Sequence, residues 1–329
     1  MLKQIDCPLV SVVMTVRNVE AYIAEAIASI LEERTVALEV IVIDNGCTDR
    51  TIEQIQAFGD DRIRLLEGPR LGIAHALNVA YANVRGEFII RCDGDDSIPT
   101  GRIARQTNWL QSHPEFGAVC GGFTMIDTKS RALADLQRDS KPQEITDELR
   151  NGMTRTHIGT FAIRTESVEA AGWSREYFDC LEDIDFQLRL GEICRVWFES
   201  EIEYLYRLHP SSVTHTVSDV KRQFYDAIAV EFQRQRRTRG YDDLQLGCPP
   251  PIPEGSDSKM DAAAHTSKML LGSAWIAHRE GRKWQAVTKG IKAAVLQPQQ
   301  VSNWRSLVAL MVKPGGRRVQ PDICQPSLR

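Results

Sequence analysis

The sequence lacks several features that mark common classes of protein. Its 329 residues include eight cysteines, but none of them form a C-x-x-C pair. This spacing excludes a disulfide framework and a structural zinc site, and it is typical of reduced thiols in a cytosolic protein. The chain also lacks an excess of positive charge, since its formal net charge is −4. A nucleic-acid-binding protein that relies on a global basic field is therefore excluded.

Long apolar runs are also missing. No stretch approaches the roughly 20 residues that a helix needs to cross a bilayer. The N-terminus shows no small-residue cleavage site, so we expect no signal peptide. We expect a cytoplasmic protein that at most makes a peripheral contact with the inner face of a membrane. The arginines between positions 234 and 239 can meet anionic lipid or an acidic glycan, although such a cluster more often complements the dipole at a helix end.

The first half of the sequence alternates between apolar runs and amphipathic segments. Continuous apolar runs predict strands buried on both faces, and apolar residues at helical spacing predict helices. The predicted strands are 10–16, 38–44, 62–67 and 87–92, and the predicted helices are 18–33, with Asn18 as its N-cap, 48–58 and 72–84. This alternation favours an α/β fold whose sheet is mostly parallel and flanked by helices.

The second half is more mixed in pattern. It predicts strands at 117–127, 157–164 and 194–200, helices at 182–190 and 218–240, and a proline-rich linker at 248–258. We expect residues 1–247 to form one large domain, with 8–127 as a Rossmann-like nucleotide-binding half and 128–247 as an acceptor half. Residues 259–329 then form a C-terminal helical appendage, a helical hairpin followed by a polar tail.

Polar clusters follow three of the predicted strands. TVRN ends the first strand, DNGCTD the second and DGDD the fourth. Ligands of open α/β sheets bind beyond the carboxyl ends of the strands, close to the point where the strand order reverses. These clusters therefore predict a nucleotide-type site in the first half of the chain.

The densest cluster gathers three carboxylates, Asp93, Asp95 and Asp96, around Gly94. In extended chain Asp93 and Asp95 project from the same face, and Gly94 lets a ligand approach the backbone. Carboxylate oxygens suit Mg²⁺ or Mn²⁺, which bind through one or two carboxylates together with substrate phosphates. The alternative is a solvated turn in which Asp96 or Ser97 caps a helix that starts near Pro99.

Three further groups carry chemistry and also have simpler interpretations. Asp44 and Asn45 can bind a base or ribose edge, or they can form an ordinary turn. Glu182 and Asp183 open a predicted helix, where an ionised Asp facing a cleft can act as a general base. Those two carboxylates can instead complement the helix dipole, as Asp185 pairs with Arg189 one turn on. His209 is a ligand, a base or a plain loop residue.

The order and spacing of these segments resemble the family 2 glycosyltransferases. The resemblance covers about residues 8–215, and it rests on PLVSVVMTVRNVEAYIAEAIASIL, VIVIDNGCTDRT, RLGIAHALNVAYANVRGEFIIRCDGDD, GTFAIRTESVEAAGW, LEDIDFQLRL and YRLHPSSV. It implies the GT-A fold, in which a nucleotide-binding α/β half is merged with an acceptor-binding half. It also implies inverting transfer of a sugar from a nucleotide donor, with Mg²⁺ or Mn²⁺ as cofactor.

The resemblance also implies roles for individual residues. Asp95 resembles the aspartate that binds the metal bridging the diphosphate, and His209 lies in the late loop where some members offer a second metal ligand. Asp183 matches the general base of the family's ED pair, with Glu182 beside it. The residues implied in nucleotide binding are Thr15, Asn18, Asp44, Asn45, Gly72 and Asp93.

Three departures from the family pattern bear on the substrates. The usual pair of aspartates is here Asp44–Asn45, and an Asn carbonyl can accept the N3–H of uracil or thymine. UDP- or dTDP-sugars are therefore the expected donors. A guanine nucleotide is excluded less strongly here than it would be by a pair of aspartates. Arg17 replaces the usual aromatic residue before Asn18. The missing membrane span argues against a processive synthase and for single addition to a sugar, lipid-linked or glycan acceptor in polysaccharide or glycoconjugate biosynthesis.

Two other functions compete with this interpretation. A metal-dependent nucleotidyltransferase would place a glycine-rich phosphate loop after the first strand, and MTVRNVEAY contains none. A nucleotide-binding or scaffold protein with a degenerate transferase site is the second alternative. The presence of both Asp95 and Asp183 argues against it.

Overall fold

The computed structural model describes residues 9–136, 141–178, 181–209, 218–254 and 262–314. The chain divides into two compact units, Met1–Lys259 and Met260–Arg329. Asp6 and Cys7 at the N-terminus and the polar tail from residue 315 lie outside the described residues.

The described strands of the first unit form one mixed sheet. They are β1 (Val10–Val16), β2 (Leu38–Asp44), β3 (Ile63–Glu67), β4 (Phe88–Arg91), β5 (Ala118–Ile126), β6 (Ala132–Leu136), β7 (Gln143–Glu144), β8 (Ala162–Arg164) and β9 (Val196–Arg207). Their order is β3-β2-β1-β4-β8-β5-β9-β7, and β6 pairs with β5 off this path. The first four strands are parallel to one another, as the alternation of strands and helices predicts.

Helices flank the sheet. They are α1 (Ile23–Leu31), α2 (Thr51–Gln56), α3 (Ile73–Tyr81), α4 (Arg102–Ser112), α5 (Thr146–Arg150), α6 (Thr165–Ala171), α7 (Glu182–Ile193) and α8 (Asp219–Arg239) in the first unit. The second unit contains α9 (Ala262–Arg279), α10 (Lys283–Leu296) and α11 (Val301–Val312). None of the helices that the structure describes is long and apolar enough to cross a membrane.

The parallel half of the sheet is buried on both faces. Val12, Val13 and Met14 of β1 have no exposed surface, and neither do Ile41 and Val42 of β2. Continuous apolar runs of this kind form central strands because side chains on each face have helices to pack against. Since β2, β1 and β4 are neighbours, the polar segments that follow them meet at one edge of the sheet.

The predicted helix 18–33 is wrong at its start. Helix α1 begins at Ile23, with Tyr22 at the N-cap position, and Asn18 has a left-handed backbone with φ of 54°. The Asn18 side chain instead accepts a hydrogen bond from the backbone N–H of Thr48 at 2.7 Å. Asn is one of the few residues that tolerate this conformation. The apolar residues at helical spacing therefore begin before the helix does.

Three elements of the second half also differ from the sequence prediction. The segment predicted as a strand at 157–164 is a strand only at Ala162–Arg164, because Ile158–Thr160 forms a 3₁₀ turn. Strand β9 continues seven residues past the predicted 194–200, to Arg207. The appendage is not a hairpin, since α9, α10 and α11 make three helices.

Small residues allow the three C-terminal helices to pack closely. Ala274, Ala277, Ala286 and Leu310 form their shared core. A Cβ added at Gly290 would lie 3.0 Å from Leu310 Cδ1, so α11 packs directly on the glycine of α10. These contacts leave the opposite faces of α10 and α11 exposed.

Candidate functional site

The turn after β4 is tied to the end of β9. The backbone N–H of Asp93 donates to the Tyr204 hydroxyl at 3.0 Å, and the backbone N–H of Arg207 donates to Asp96 Oδ1 at 2.6 Å. Arg207 Nε also donates to the Asp95 carbonyl at 2.7 Å. Asp96 is buried, and burial raises the pKa of its carboxyl well above the ordinary value, with Asp95 and Asp93 adding to the effect. The turn is therefore held from within the fold.

The alternative in which Asp96 or Ser97 caps the next helix is wrong. Helix α4 begins at Arg102, and its N-cap position is Gly101. Ser97 instead pairs with Leu205 of β9 through backbone hydrogen bonds in both directions. The carboxylate of Asp96 is directed into the protein and fixes the backbone of the turn.

Gly94 is closely packed inside the protein, whereas the sequence pattern predicts a glycine that lets a ligand approach the backbone. A Cβ at this position would lie 2.7 Å from Val16 Cγ1 and 3.1 Å from Val19 Cγ2. The backbone between Asp93 and Asp95 thus packs against the end of β1 and the turn that follows it. Glycine is required because any side chain would push the two aspartates away from the sheet edge.

The two residues implied as metal ligands are in contact. His209 Nε2 lies 2.8 Å from Asp95 Oδ2, although the residues are 114 positions apart. His209 is buried, and its ring lies 4.8 Å from the ring of Tyr22 between centroids. One carboxylate and one imidazole suit a Mn²⁺ or Mg²⁺ ion that takes its other ligands from phosphates and water. Within the described residues no group of three or more His, Cys, Asp and Glu is placed to hold a metal.

Arg91 is a site residue that the sequence interpretation missed. Its Nε donates to Asp93 Oδ1 at 2.9 Å and its Nη1 donates to Glu182 Oε1 at 2.7 Å. The guanidinium is only 9% exposed, and the two carboxylates raise its pKa well above the ordinary value even though burial opposes this. The available signal was a charged residue at the end of the otherwise apolar strand FIIR. Arg91 joins the aspartate turn to helix α7.

The ED pair lies in the first turn of α7, as predicted. Burial raises the pKa of Glu182 to about 7, against the opposing effect of Arg91. Burial also raises the pKa of Asp183, with Arg91 and the backbone N–H of Ile184 opposing it. Asp183 is partly exposed, whereas Glu182 is buried. Asp183 is therefore the member of the pair that a substrate can reach.

Asp185 has the structural role expected from its spacing. Its Oδ2 accepts hydrogen bonds from Arg189 Nε at 2.8 Å and from Arg175 Nε at 2.9 Å. These cations hold the pKa of Asp185 below its ordinary value although burial raises it. The carboxylate has no exposed surface, so it anchors α7 and does not face the site.

Asp44 and Asn45 end β2 next to the end of β1. Asp44 Oδ1 accepts the backbone N–H groups of Gly46 at 3.0 Å and Cys47 at 2.7 Å, which is the turn expected as an alternative. Asn45 is 8% exposed, and its Oδ1 has no hydrogen-bond partner among the described residues. A buried acceptor without a partner is costly unless a ligand satisfies it.

The other residues implied in nucleotide binding are placed around these two. Thr15 is partly exposed on β1 and pairs in register with Ile43. Asn18 is exposed and holds the Thr48 backbone. Gly72, with φ of 109°, precedes α3 at its N-cap position. Thr15 and Asn18 thus lie at the end of β1 and in the turn after it, Gly72 lies between β3 and α3, and Asp93 belongs to the aspartate turn.

His157 is a second residue that the sequence interpretation missed. Its ring stacks on Tyr204 at 5.3 Å between centroids, and its Nδ1 accepts the backbone N–H of Gly159 at 3.0 Å. Nε2 therefore carries the proton of the neutral ring. Burial lowers the pKa of His157 to about 4. The sequence predicts a plain strand here, and only the packing of the 3₁₀ turn against β9 brings the ring towards the aspartates.

Comparisons with known proteins identify the family. The family model for Glycosyl transferase family 2 matches residues 11–181. The uncharacterised glycosyltransferase EpsJ of Bacillus subtilis is 30% identical over 219 residues, which are 63% of each chain. Chondroitin synthase of Pasteurella multocida is 26% identical over 237 residues, 71% of this chain and 24% of that protein. The alignment with an uncharacterised glycosyltransferase of Haemophilus influenzae, 32% identical, spans 40% of this chain and 42% of the relative. The chain thus spans about half of the length of such relatives.

Solved structures agree with the fold. Residues 1–349 of Staphylococcus aureus TarS in complex with UDP-GlcNAc match with a TM-score of 0.53 at 16% identity, over 92% of this chain and 91% of that one. Another crystal structure of TarS 1–349 matches with a TM-score of 0.52 at 15% identity. The predicted fold class is confirmed, with a mixed, mostly parallel sheet, flanking helices and C-terminal helices. The chain belongs to glycosyl transferase family 2.

Proposed function

We propose that the protein is an inverting glycosyltransferase that moves a sugar from a UDP- or dTDP-sugar to an acceptor hydroxyl. One observation carries the proposal. The partly exposed Asp183 lies beside Glu182, which Arg91 joins to Asp93, two residues from the Asp95–His209 contact. Arg91 thus ties the helix turn that carries Asp183 to the aspartate turn that carries Asp95. TarS, which has a similar fold, has been solved with UDP-GlcNAc.

Asp95 and His209 would hold Mn²⁺ or Mg²⁺. Such a cation, when bound there, would supply positive charge to offset the negative charge that develops on the diphosphate as the bond to the sugar breaks. His209 would coordinate it through Nε2, which requires that nitrogen to be unprotonated. Its present contact with Asp95 already brings the nitrogen and oxygen donors to one point.

Asp183 accepts the proton of the acceptor hydroxyl as that oxygen attacks the anomeric carbon from the face opposite the leaving diphosphate. The oxygen–carbon bond forms while the bond to the diphosphate breaks, so the configuration inverts. The raised pKa of Asp183 makes it a stronger base than an ordinary carboxylate. Glu182 stays with Arg91 and positions the first turn of α7.

Asn45 supports a pyrimidine base in the donor. Its buried Oδ1 can accept the N3–H of uracil or thymine. Asp44, Thr15, Asn18 and Gly72 surround the same sheet edge, and Asp93 contacts the ribose. Residues 8–127 then form the nucleotide-binding half and residues 128–247 the acceptor half of a catalytic domain that ends at residue 247. The acceptor is a sugar, a lipid-linked sugar or a glycan, in polysaccharide or glycoconjugate synthesis in the cytoplasm.

A thermal-shift assay with a panel of nucleotides, with and without Mn²⁺, tests the donor assignment. We expect UDP or dTDP to raise Tm in a metal-dependent way, and we expect Asp95→Ala to lose that dependence. Asp147→Asn is a matched control, because this carboxylate is exposed in the first turn of α5. If no nucleotide raises Tm, the scaffold alternative is favoured and the proposal fails.

Release of nucleotide from a UDP- or dTDP-sugar in the absence of acceptor tests the catalytic assignment. Asp183→Asn should bind the donor normally and abolish this hydrolysis. If Asp183→Asn hydrolyses or transfers the sugar at the normal rate, the base assignment is wrong.

A further inference from the structure

Helix α10 exposes an apolar stripe. Trp284, Ile291 and Val295 lie at helical spacing, and Trp284 is 83% exposed and Val295 65% exposed. The buried residues of the helix, Ala286 and Ala293 among them, lie on the opposite side. An exposed tryptophan in a soluble helix is unusual, because it leaves a large apolar area in water.

Helix α11 repeats this arrangement. Val301, Val308 and Val312 follow one another at intervals of seven and four residues, and all three are exposed. Leu307 and Leu310 occupy the other side of the helix and are buried. Two consecutive helices therefore pack through small residues on one face and present large apolar residues on the other.

The unit that carries these stripes is strongly basic. Residues 262–314 contain five lysines and three arginines, and Glu280 is the sole carboxylate side chain in that range. Lys283 and Lys292 of α10 and Arg305 of α11 are exposed. The chain as a whole has a formal net charge of −4, so positive charge is concentrated in this unit.

We propose that α10 and α11 form a surface that binds anionic phospholipid bilayers. An interfacial helix combines an apolar stripe, which enters the boundary between headgroups and acyl chains, with basic residues that meet anionic headgroups. Tryptophan is enriched at this boundary because its ring is amphipathic. Both signals occur on the same two helices, so apolar burial and electrostatic attraction act on one surface.

The charge distribution decides against a second copy of the chain as the partner. Two identical surfaces of high positive charge repel each other, whereas a bilayer with anionic lipids attracts them. The arginines of α8 are different, because carboxylates already neutralise them. Arg234 pairs with Glu231, Arg236 with Glu192 and Asp242, and Arg239 with Asp243. Arg237 donates to the backbone carbonyl of Arg150. Most of the positive charge of that cluster is therefore compensated within the first unit, so we do not assign the membrane contact to it.

Co-sedimentation of the full chain with extruded vesicles tests the proposal. We expect binding to vesicles of phosphatidylcholine with phosphatidylglycerol, weak binding to phosphatidylcholine alone, and loss of binding as salt increases. Lys292→Glu/Arg305→Glu should weaken binding on the order of 100-fold. Each cation near the surface is attracted to the anionic lipids, and each new glutamate is repelled by them. Arg34→Glu/Lys129→Glu, exposed in the first unit, is the matched control and should bind normally.

The apolar contribution has its own pair of variants. Trp284→Ser/Val295→Ser should weaken binding roughly tenfold or more, since less apolar area enters the interface. Leu133→Ser/Leu246→Ser is the control, because it removes exposed apolar residues of the first unit. This variant should bind vesicles normally. Unchanged Tm values establish that the variants fold. Absence of binding at low salt, equal binding of both vesicle types, or a dimer in light scattering that Trp284→Ser/Val295→Ser dissolves would each overturn the proposal.

Discussion

Arg91 shows how one buried side chain can set the chemistry of its neighbours. It contacts Asp93 two positions along the chain and Glu182 at a separation of 91 positions. A guanidinium can satisfy two carboxylates at once because its N–H groups form a planar fork. The ion pairs compensate the cost of burying three charges, so removing the cation leaves two carboxylates without compensation.

Arg91→Ala should therefore destabilise the protein, by about 3–5 kcal/mol at pH 8. The loss should shrink as pH falls, because the remaining carboxylates then become protonated and neutral. For Glu182 the folded pKa of about 7 lies above the ordinary 4.5, so the folded state binds more protons between these pH values. Urea unfolding at pH 5 and pH 8 measures both effects.

The double variant Arg91→Ala/Glu182→Gln is the control for this prediction. It removes one of the two stranded carboxylates, so it should be more stable than Arg91→Ala alone at pH 8. Equal stabilities of the single and double variants would show that the Arg91–Glu182 contact does not account for the loss.

The pH dependence of donor hydrolysis should follow Asp183. The hydrolysis rate should rise with pH as Asp183 loses its proton, and this rise is the acid limb of the pH profile. Because the pKa of Asp183 is raised, the acid limb should lie at higher pH than for an ordinary carboxyl group. His157 has a pKa lowered to about 4 and stays neutral in this range. His157→Gln, which retains a hydrogen-bond donor, should keep the acid limb in place. A limb that moves in His157→Gln would assign the titration to the histidine.

At the scale of elements, the aspartate turn depends on how closely β4 approaches β1. Gly94→Ala should cost about 1–3 kcal/mol of stability, because the new Cβ lies 2.7 Å from Val16 Cγ1 and the turn must shift. We expect nucleotide-dependent stabilisation in Mn²⁺ to be lost as well. Urea unfolding and the thermal-shift assay measure the two effects.

Gly272→Ala is the matched control for Gly94→Ala. A Cβ there meets nothing within 4 Å, and Gly272 lies inside α9, so the change should stabilise the protein by about 0.5–1 kcal/mol. Gly94→Ala/Val16→Ala should recover part of the loss, because it removes the closest contact. No recovery would mean that crowding against Val16 is not the cause.

At the scale of the whole molecule, the two compact units predict separable properties. A chain truncated after Glu254 should fold and retain its response to nucleotide, because the candidate site residues lie before that point. It should lose binding to anionic vesicles, since the exposed stripes lie on α10 and α11. A truncated chain that folds and still binds vesicles would place the membrane contact in the first unit.

The sequence predicted local elements well where burial is continuous. The runs at 10–16 and 38–44 coincide with β1 and β2, residue for residue, because a strand buried on both faces needs an unbroken apolar run. Prediction failed where a side-chain contact overrides periodicity. The side chain of Asn18 accepts a hydrogen bond from the Thr48 backbone, and α1 begins only at Ile23. The roles of Asp95, His209 and Asp183 stay predictions until the variants are measured.

The sequence by itself determined the family, the parallel half of the sheet and the edge at which the polar segments gather. These follow from local periodicity and from the rule that parallel strands place their carboxyl ends together. Only the tertiary structure decided that His209 contacts Asp95, that Arg91 joins Asp93 to Glu182 and that Gly94 packs on Val16. Such contacts depend on β4, β8, β5 and β9 lying in that order, and separations of 91 and 114 residues carry no periodic signal.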